Sequence, residues 1–289
     1  MQRYEDDKAI LESYIQKLSY QNIPEVLSSA MRYSLELPGK RLRGVLLLEA
    51  YRLLQEDIEK ALPFAAAVEM IHCYTLIHDD LPCMDDDDIR RGKPSNHKVF
   101  GEGMAVLAGD ALLNYAHEIM LDACLSCGDM NTVRATHALS KHAGASGVIA
   151  GQSIDISSTI LNNSVDTLRY IQQHKTADLL IGSVLAGLFL AGAAQKQLDA
   201  GYGYAYHLGL AFQIIDDILD ATGESAVLGK STGKDAAQNK LTWLNMFGLE
   251  QSHLDARTHT KLACESIASG FDNAGYLVKI AQQFLDRLK

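Results

Sequence analysis

The stretch "YHLGLAFQIIDDILD", residues 206–220, decides the fold. Its apolar side chains recur at Leu208, Phe212, Ile215 and Leu219, intervals of three and four residues, never two. That period belongs to an α-helix and excludes a half-buried strand. The helix carries Asp216, Asp217 and Asp220, a DDxxD set on an otherwise apolar element. Asp216 and Asp220 share a face, where like charges repel by a few tenths of a kcal/mol, about 0.2–0.5 even when exposed. Burying such a pair with no cation between them would cost far more.

The same period runs through "VLLLEAYRLL" (45–54) and "AAAVEMIHCYTLIH" (65–78). The five prolines stand at 24, 38, 63, 82 and 94, and the long proline-free remainder favours long helices. The pattern predicts helices near 5–20, 23–35, 42–54, 61–80, 104–126, 130–142, 165–192, 196–221, 236–249, 254–268 and 271–288. Gly39, Gly92, Gly101, Gly151 and the "TGES" and "STGKD" stretches are the expected breaks. No linker, composition shift or solenoid repeat divides the chain, so residues 1–289 read as a single all-α domain.

With 47% hydrophobic residues and a formal charge of −10, the chain is globular. The acidic balance argues against nucleic-acid binding. It leaves room for a local anion site, because clustering matters more than the sum. The start lacks the apolar core of a signal peptide. The longest apolar run, Leu179–Ala194, is 16 residues and holds three glycines. It is shorter than the ~18–20 residues of a membrane span, so a buried core helix is expected rather than an integral membrane protein. Five cysteines, an odd number, point to a reduced, cytoplasmic setting. Cys124 and Cys127 form a CxxC that no second pair completes into a zinc site.

A second acidic motif opens "DDLPCMDDDDIRRGKP" at residue 79: six aspartates in ten positions, then Arg90 and Arg91. A solvated acidic run needs no basic tail. Hard divalent cations take carboxylate oxygens and commonly share a phosphate ligand, while guanidinium forks suit diphosphate oxygens. Asp79, Asp80 and Asp85, with Pro82 breaking the helix between them, could present such oxygens. Elsewhere, "GKRLRG" puts Lys40 and Arg43 on one face of a helix start, a plausible anion site. His72 lies nearly two turns before Asp79 on almost the same face. Lys175, Thr176, Lys230, Lys234 and Lys240 add polar and cationic groups. Neither acidic motif matches the twelve-residue calcium loop.

The stretches "LPGKRLRG", "EMIHCYTLIHDDLPCMDDDDIRRGKPSNHKVFGEGMAVLAGDALL", "GQSID", "HKT", "FQIIDDILD" and "LGKSTGKD", in this order, resemble the trans-isoprenyl diphosphate synthases, most closely the bacterial short-chain, farnesyl diphosphate type. The resemblance implies helices around a deep central cavity, usually as a homodimer, and head-to-tail coupling of isopentenyl diphosphate to an allylic diphosphate. It implies two Mg²⁺ ions (or Mn²⁺) at Asp79 and Asp85 and a third at Asp216, with Asp80 and Asp220 assisting. Arg90, Lys175, Lys230 and Lys240 would hold the allylic diphosphate. Lys40, Arg43, His72 and Arg91 would form the metal-free site for isopentenyl diphosphate. Gln213 and Thr176 would steady the allylic cation by their dipoles.

In the same family, bulk just before the first acidic motif sets the cavity floor; here those residues are Tyr74 and Thr75. Tyr74 lies ~7.5 Å along the helix from Asp79. A ring there suits a fifteen-carbon product, although helical rotation puts Thr75 rather than Tyr74 on the face of Asp79. The chain departs from the family pattern at Trp243, Ala177 and His117. A twenty-carbon, geranylgeranyl product is the alternative. A terpene cyclase, or a non-catalytic partner subunit, fits less well because both acidic motifs and the Lys40/Arg43 pair are present.

Overall fold

The computed structural model describes residues 2–157, 164–222 and 241–288. Thirteen α-helices make up most of that: α1 (Gln2–Gln16), α2 (Glu25–Leu35), α3 (Leu42–Tyr51), α4 (Leu62–Asp79), α5 (Asn96–Phe100), α6 (Glu102–Cys127), α7 (Met130–Ala143), α8 (Val148–Ser157), α9 (Val165–Ile171), α10 (Asp178–Leu190), α11 (Gln195–Thr222), α12 (Trp243–Gly270) and α13 (Gly275–Leu285). A short 3₁₀ turn, Asp286–Leu288, follows α13. Several starts are capped as their residue types dictate. Asp129 accepts a bond from Thr132 N, Ser164 from Thr167 N and Thr242 from Asn245 N, each filling a donor the first turn leaves open. Pro63 occupies the first turn of α4, where its missing N–H costs nothing.

Helices α4 and α10 form the interior. From Phe64 to Ile71 every residue of α4 is buried, and α10 is buried over most of its length between α3, α7 and α11. This explains the all-round apolar character of both segments. The run Leu179–Ala194 is thus core, and no described helix is long and apolar enough to cross a membrane. Helix α11 lies along α12, which bends at Gly248. The division of this segment into two helices, expected at 236–249 and 254–268, holds within the described residues: Gly248, at φ 77° and ψ 168°, is non-helical and separates the two straight parts of α12.

Three features differ from expectation. The helix expected over 165–192 is interrupted by a π-helical turn, Gln172–Ala177, where Asp178 N bonds to Gln173 O, five residues back. Gly151, taken as a break, lies inside α8. A Cβ there would sit 2.2 Å from Lys175 N, so the glycine is present because backbone passes against backbone. Finally, Ile89–Arg90 and Lys93–Pro94 pair as a minimal antiparallel hairpin. Its two turn residues, Arg91 and Gly92, both have positive φ (53° and 73°), as a two-residue turn matching strand twist requires.

Candidate active site

A cavity of about 850 Å³ opens between α3, α4, α6, α8, the π-helical turn and α11. Two acidic walls line it. One is the end of α4 and the loop after it, giving Asp79, Asp85 and Asp87; the other is α11, giving Asp216, Asp217 and Asp220. Lys40, Arg43, His72, Arg90, Lys175 and Arg287 supply the basic lining, and Val148, Ile149, Ile156, Leu179 and Phe212 the apolar one.

Asp79 ends α4, and the chain doubles back so that Asp85 N donates to Asp79 O at 2.9 Å. Burial pushes the Asp79 carboxyl up to about 6, with Asp85 adding to the rise and Lys175 and Arg90 opposing it. Gln152 Nε2 donates to Asp79 Oδ1 at 2.7 Å. Asp80 turns the other way. It is buried, does not line the cavity, and accepts from Arg90 Nε at 2.9 and 3.2 Å and from Arg90 Nη2. Arg90 Nη2 also reaches Asp87 Oδ2 at 3.2 Å. The fork is thereby fixed with one edge toward the cavity.

The π-helical turn brings Lys175 and Thr176 to the rim, as such turns often do at functional sites. Lys175 Nζ bonds Asp155 Oδ2 at 2.6 Å. Thr176 Oγ1 donates to Gln213 Oε1 at 2.9 Å, and Gln213 Nε2 to Asp217 Oδ1 at 2.9 Å. Asp217 Oδ2 accepts from Trp243 N at 2.9 Å. Asp217 thus lines the cavity while its two oxygens hold Gln213 and the start of α12, and Asp216 and Asp220 line it one turn apart. Trp243, one of the departures, ties its indole Nε1 to Asp255 at 2.8 Å. Ala177 abuts Gly209, where a second Cβ would come within 2.5 Å. His117 bonds its own helix at Leu113 O and does not line the cavity.

A cationic group adjoins the α11 wall near Asp216. Arg41, between Lys40 and Arg43, takes a left-handed conformation (φ 49°) and points into the protein, donating to Leu35 O and Leu37 O. That inversion frees Lys40 and Arg43 to face the cavity together. Burial lowers the Lys40 ammonium, helped by nearby Arg287, and pulls Arg43 down to about 10. Arg287, from the 3₁₀ turn, has Nη1 2.9 Å from Asp216 Oδ1, yet none of its three guanidinium nitrogens makes a hydrogen bond. The ion pair with Asp216 thus leaves hydrogen-bonding capacity on a buried guanidinium, as a place that receives an anion would have. Arg91 stands behind this group, packed over Gly39 and donating to Leu37 O at 3.4 Å.

Tyr74 and Thr75 both line the cavity. Tyr74 is 6% exposed, its hydroxyl has no hydrogen-bond partner, and its ring meets His78 edge-on at 5.8 Å. Lys230, Lys234 and Lys240 lie outside the described residues. Sequence reasoning assigned no role to Gln152, Asp155, Asp217 or Arg287. The first two sit in the "GQSID" stretch, the third inside DDxxD, and Arg287 had no local signal at all.

Comparison with known proteins agrees with this arrangement. The family described as polyprenyl synthetase matches residues 24–276. The chain is 47% identical over 255 residues to the heterodimeric geranylgeranyl pyrophosphate synthase large subunit 1 of Arabidopsis thaliana, covering 86% of this chain and 68% of that protein. It is 46% identical over 240 residues to the farnesyl diphosphate synthase of Geobacillus stearothermophilus, covering 83% and 80%. Among solved structures, the Helicobacter pylori geranyltransferase complexed with magnesium and isoprenyl diphosphate superposes with a TM-score of 0.85 at 29% identity, covering 99% of this chain and 96% of that one. The matched region spans both acidic walls and the Lys40–Arg43 segment, and the chain belongs to the polyprenyl synthetase family of prenyltransferases.

Proposed function

We propose that the chain is a (2E,6E)-farnesyl diphosphate synthase, joining isopentenyl diphosphate head-to-tail to dimethylallyl and then geranyl diphosphate. The observation that carries this reading is the meeting of two acidic motifs in one cavity that a cationic group also lines.

The acidic donors are carboxylate oxygens throughout, and burial with Asp85 nearby disfavours an ionised Asp79 until a cation arrives. That set fits hard divalent ions, Mg²⁺ or Mn²⁺, held by Asp79 and Asp85 on one wall and Asp216 with Asp220 on the other. Bound there, such ions would stabilise the negative charge that grows on a departing diphosphate. Lys175 and Arg90 grip the same diphosphate from the protein side. Asp80 acts through Arg90, fixing its fork, and Asp155 does the same for Lys175.

The second diphosphate belongs at the cationic group, on Lys40, Arg43, His72 and Arg287, with Arg91 behind them. The allylic C–O bond breaks, its electron pair leaving with the diphosphate. The alkene of isopentenyl diphosphate then attacks the allylic carbon, a C–C bond forms, and the departing diphosphate takes the proton. Gln213 Oε1 and Thr176 Oγ1, locked by their mutual bond, present fixed dipoles to the cation. The apolar lining keeps water from quenching it.

Tyr74 supports a fifteen-carbon limit, since its buried ring fills the side of the cavity below Asp79. Geranylgeranyl diphosphate remains the second reading, favoured by the name of the Arabidopsis relative. A reducing, cytoplasmic setting suits the five free thiols, and the family resemblance makes a homodimer the expected assembly. Incubating the protein with isopentenyl diphosphate, dimethylallyl diphosphate and Mg²⁺, then identifying the dephosphorylated alcohols by mass, tests the proposal. Farnesol is expected. Geranylgeraniol would leave the chemistry and remove the floor; no condensation from a folded protein would remove both.

A further inference from the structure

We infer that the chain carries a second metal site outside the cavity, formed by Asp86, Asp88 and His97 and suited to a divalent transition ion such as Zn²⁺. One ligand atom from each of the three lies within 4.8 Å of the others. None of the three lines the cavity, whereas Asp85 and Asp87, which alternate with Asp86 and Asp88 along the chain, do. The acidic run thus presents alternate carboxylates to opposite sides.

Exposed carboxylates alone would be unremarkable as a solvated surface. His97 changes that. It is 6% exposed, and neither ring nitrogen has a hydrogen-bond partner. A buried imidazole without partners costs free energy that an ion on one nitrogen would recover. Imidazole with two carboxylates is a poor set for Mg²⁺ and a good one for first-row transition ions, with the remaining positions taken by water. Lys98 Nζ pairs with Asp88 Oδ1 at 2.7 Å. A carboxylate can hold an ammonium on one oxygen and an ion on the other.

The site's position suggests its effect. Asp86, at φ 50°, follows Asp85 directly, and Asp88 precedes the β1 residues Ile89–Arg90. An ion joining them to His97 on α5 would pin the loop that aims Asp85, Asp87 and Arg90 into the cavity.

The test is Zn²⁺ binding by the untagged full chain in excess Mg²⁺, which occupies the all-carboxylate sites, with bound zinc read by elemental mass spectrometry after dialysis. One Zn²⁺ per chain is expected, lost in His97→Gln and in the double variant Asp86→Asn/Asp88→Asn, and kept in Asp85→Asn. Because His97 is buried, its variant could fail to fold. The double variant alters exposed side chains and decides the matter alone. Absence of zinc from the parent chain, or zinc that survives the double variant, overturns the proposal.

Discussion

Replacing Asp80 separates a positioning role from metal ligation. Both Asp80 oxygens accept from Arg90, and the carboxylate is 2% exposed. Removing one partner of a buried ion pair costs about 3–5 kcal/mol, because the other is left uncompensated. After Asp80→Ala, Arg90 keeps Asp87 at 3.2 Å, so the loss belongs at the lower end, about 3 kcal/mol. Arg90→Ala leaves the more deeply buried partner and belongs near the upper end, about 5 kcal/mol. At about 2 °C per kcal/mol for a chain of this size, Tm falls by roughly 6 °C and 10 °C respectively. The assay is thermal unfolding without divalent ions, so that ligation contributes nothing. Replacing both residues by apolar ones of similar size should restore most of the stability while leaving synthesis impaired, since Arg90 also faces the cavity. If Asp80→Ala melts within about 1 °C of the parent and only its Mg²⁺ affinity drops, Asp80 is a ligand and the positioning argument fails.

Tyr74→Ala opens the cavity below Asp79 and should shift product from fifteen toward twenty carbons; an unchanged alcohol profile by mass spectrometry would show that the ring is no floor. Asp79→Asn tests the buried carboxyl. A group raised from 3.8 to about 6 contributes stability that is complete below pH 3.8 and lost as pH rises through 6, so the ionised form costs the metal-free protein on the order of 3 kcal/mol at pH 8. The variant should therefore melt higher than the parent at pH 8, with the difference closing near pH 4, while synthesis is lost; equal Tm values at both pH values would contradict this. Gly151→Ala drives a Cβ to 2.2 Å from Lys175 N, which should cost about 1–3 kcal/mol and lower kcat by parting α8 from the π-helical turn. Arg287→Ala removes charge-assisted bonds worth about 1.5–3 kcal/mol, so KM for isopentenyl diphosphate should rise roughly 10–100-fold, read from initial rates; an unchanged KM would place the second diphosphate elsewhere.

The helices were legible because their apolar residues follow one period, and "YHLGLAFQIIDDILD" gave both an element and a charge problem needing a cation. Lys40 and Arg43 do share the cavity, but not by the helical i, i+3 spacing that suggested it: α3 begins only at Leu42, and a left-handed Arg41 at φ 49° separates Lys40 from it. What the sequence hid was of two kinds. The π-helical turn depends on one hydrogen-bond shift, from four residues to five, which no composition records. Gln152 and Arg287 line the cavity, and Asp155 reaches Lys175, only because tertiary packing brings α8 and the C-terminal turn there. Gly151 misled in an instructive way: a glycine's signature is the same whether it ends a helix or admits another backbone.

The mixed charge of "DDLPCMDDDDIRR" follows from how few directions a short loop can offer. Neighbouring helical residues diverge by about 100°, so Asp79 and Asp80 cannot both face the cavity. The aspartate turned inward must meet a cation of the protein's own, and Arg90 returns along the hairpin to supply it. Beyond the helix the run divides again. Asp85 and Asp87 line the cavity; Asp88 pairs with Lys98, and Asp86 and Asp88 stand beside His97. Some of the basic residues are thus counterions that let acidic ones be buried, and only the remainder are available to a diphosphate. For that reason, counting aspartates in such a motif overstates the ligands it provides. Which of them can hold an ion in the cavity is decided by the direction each carboxylate is forced to take.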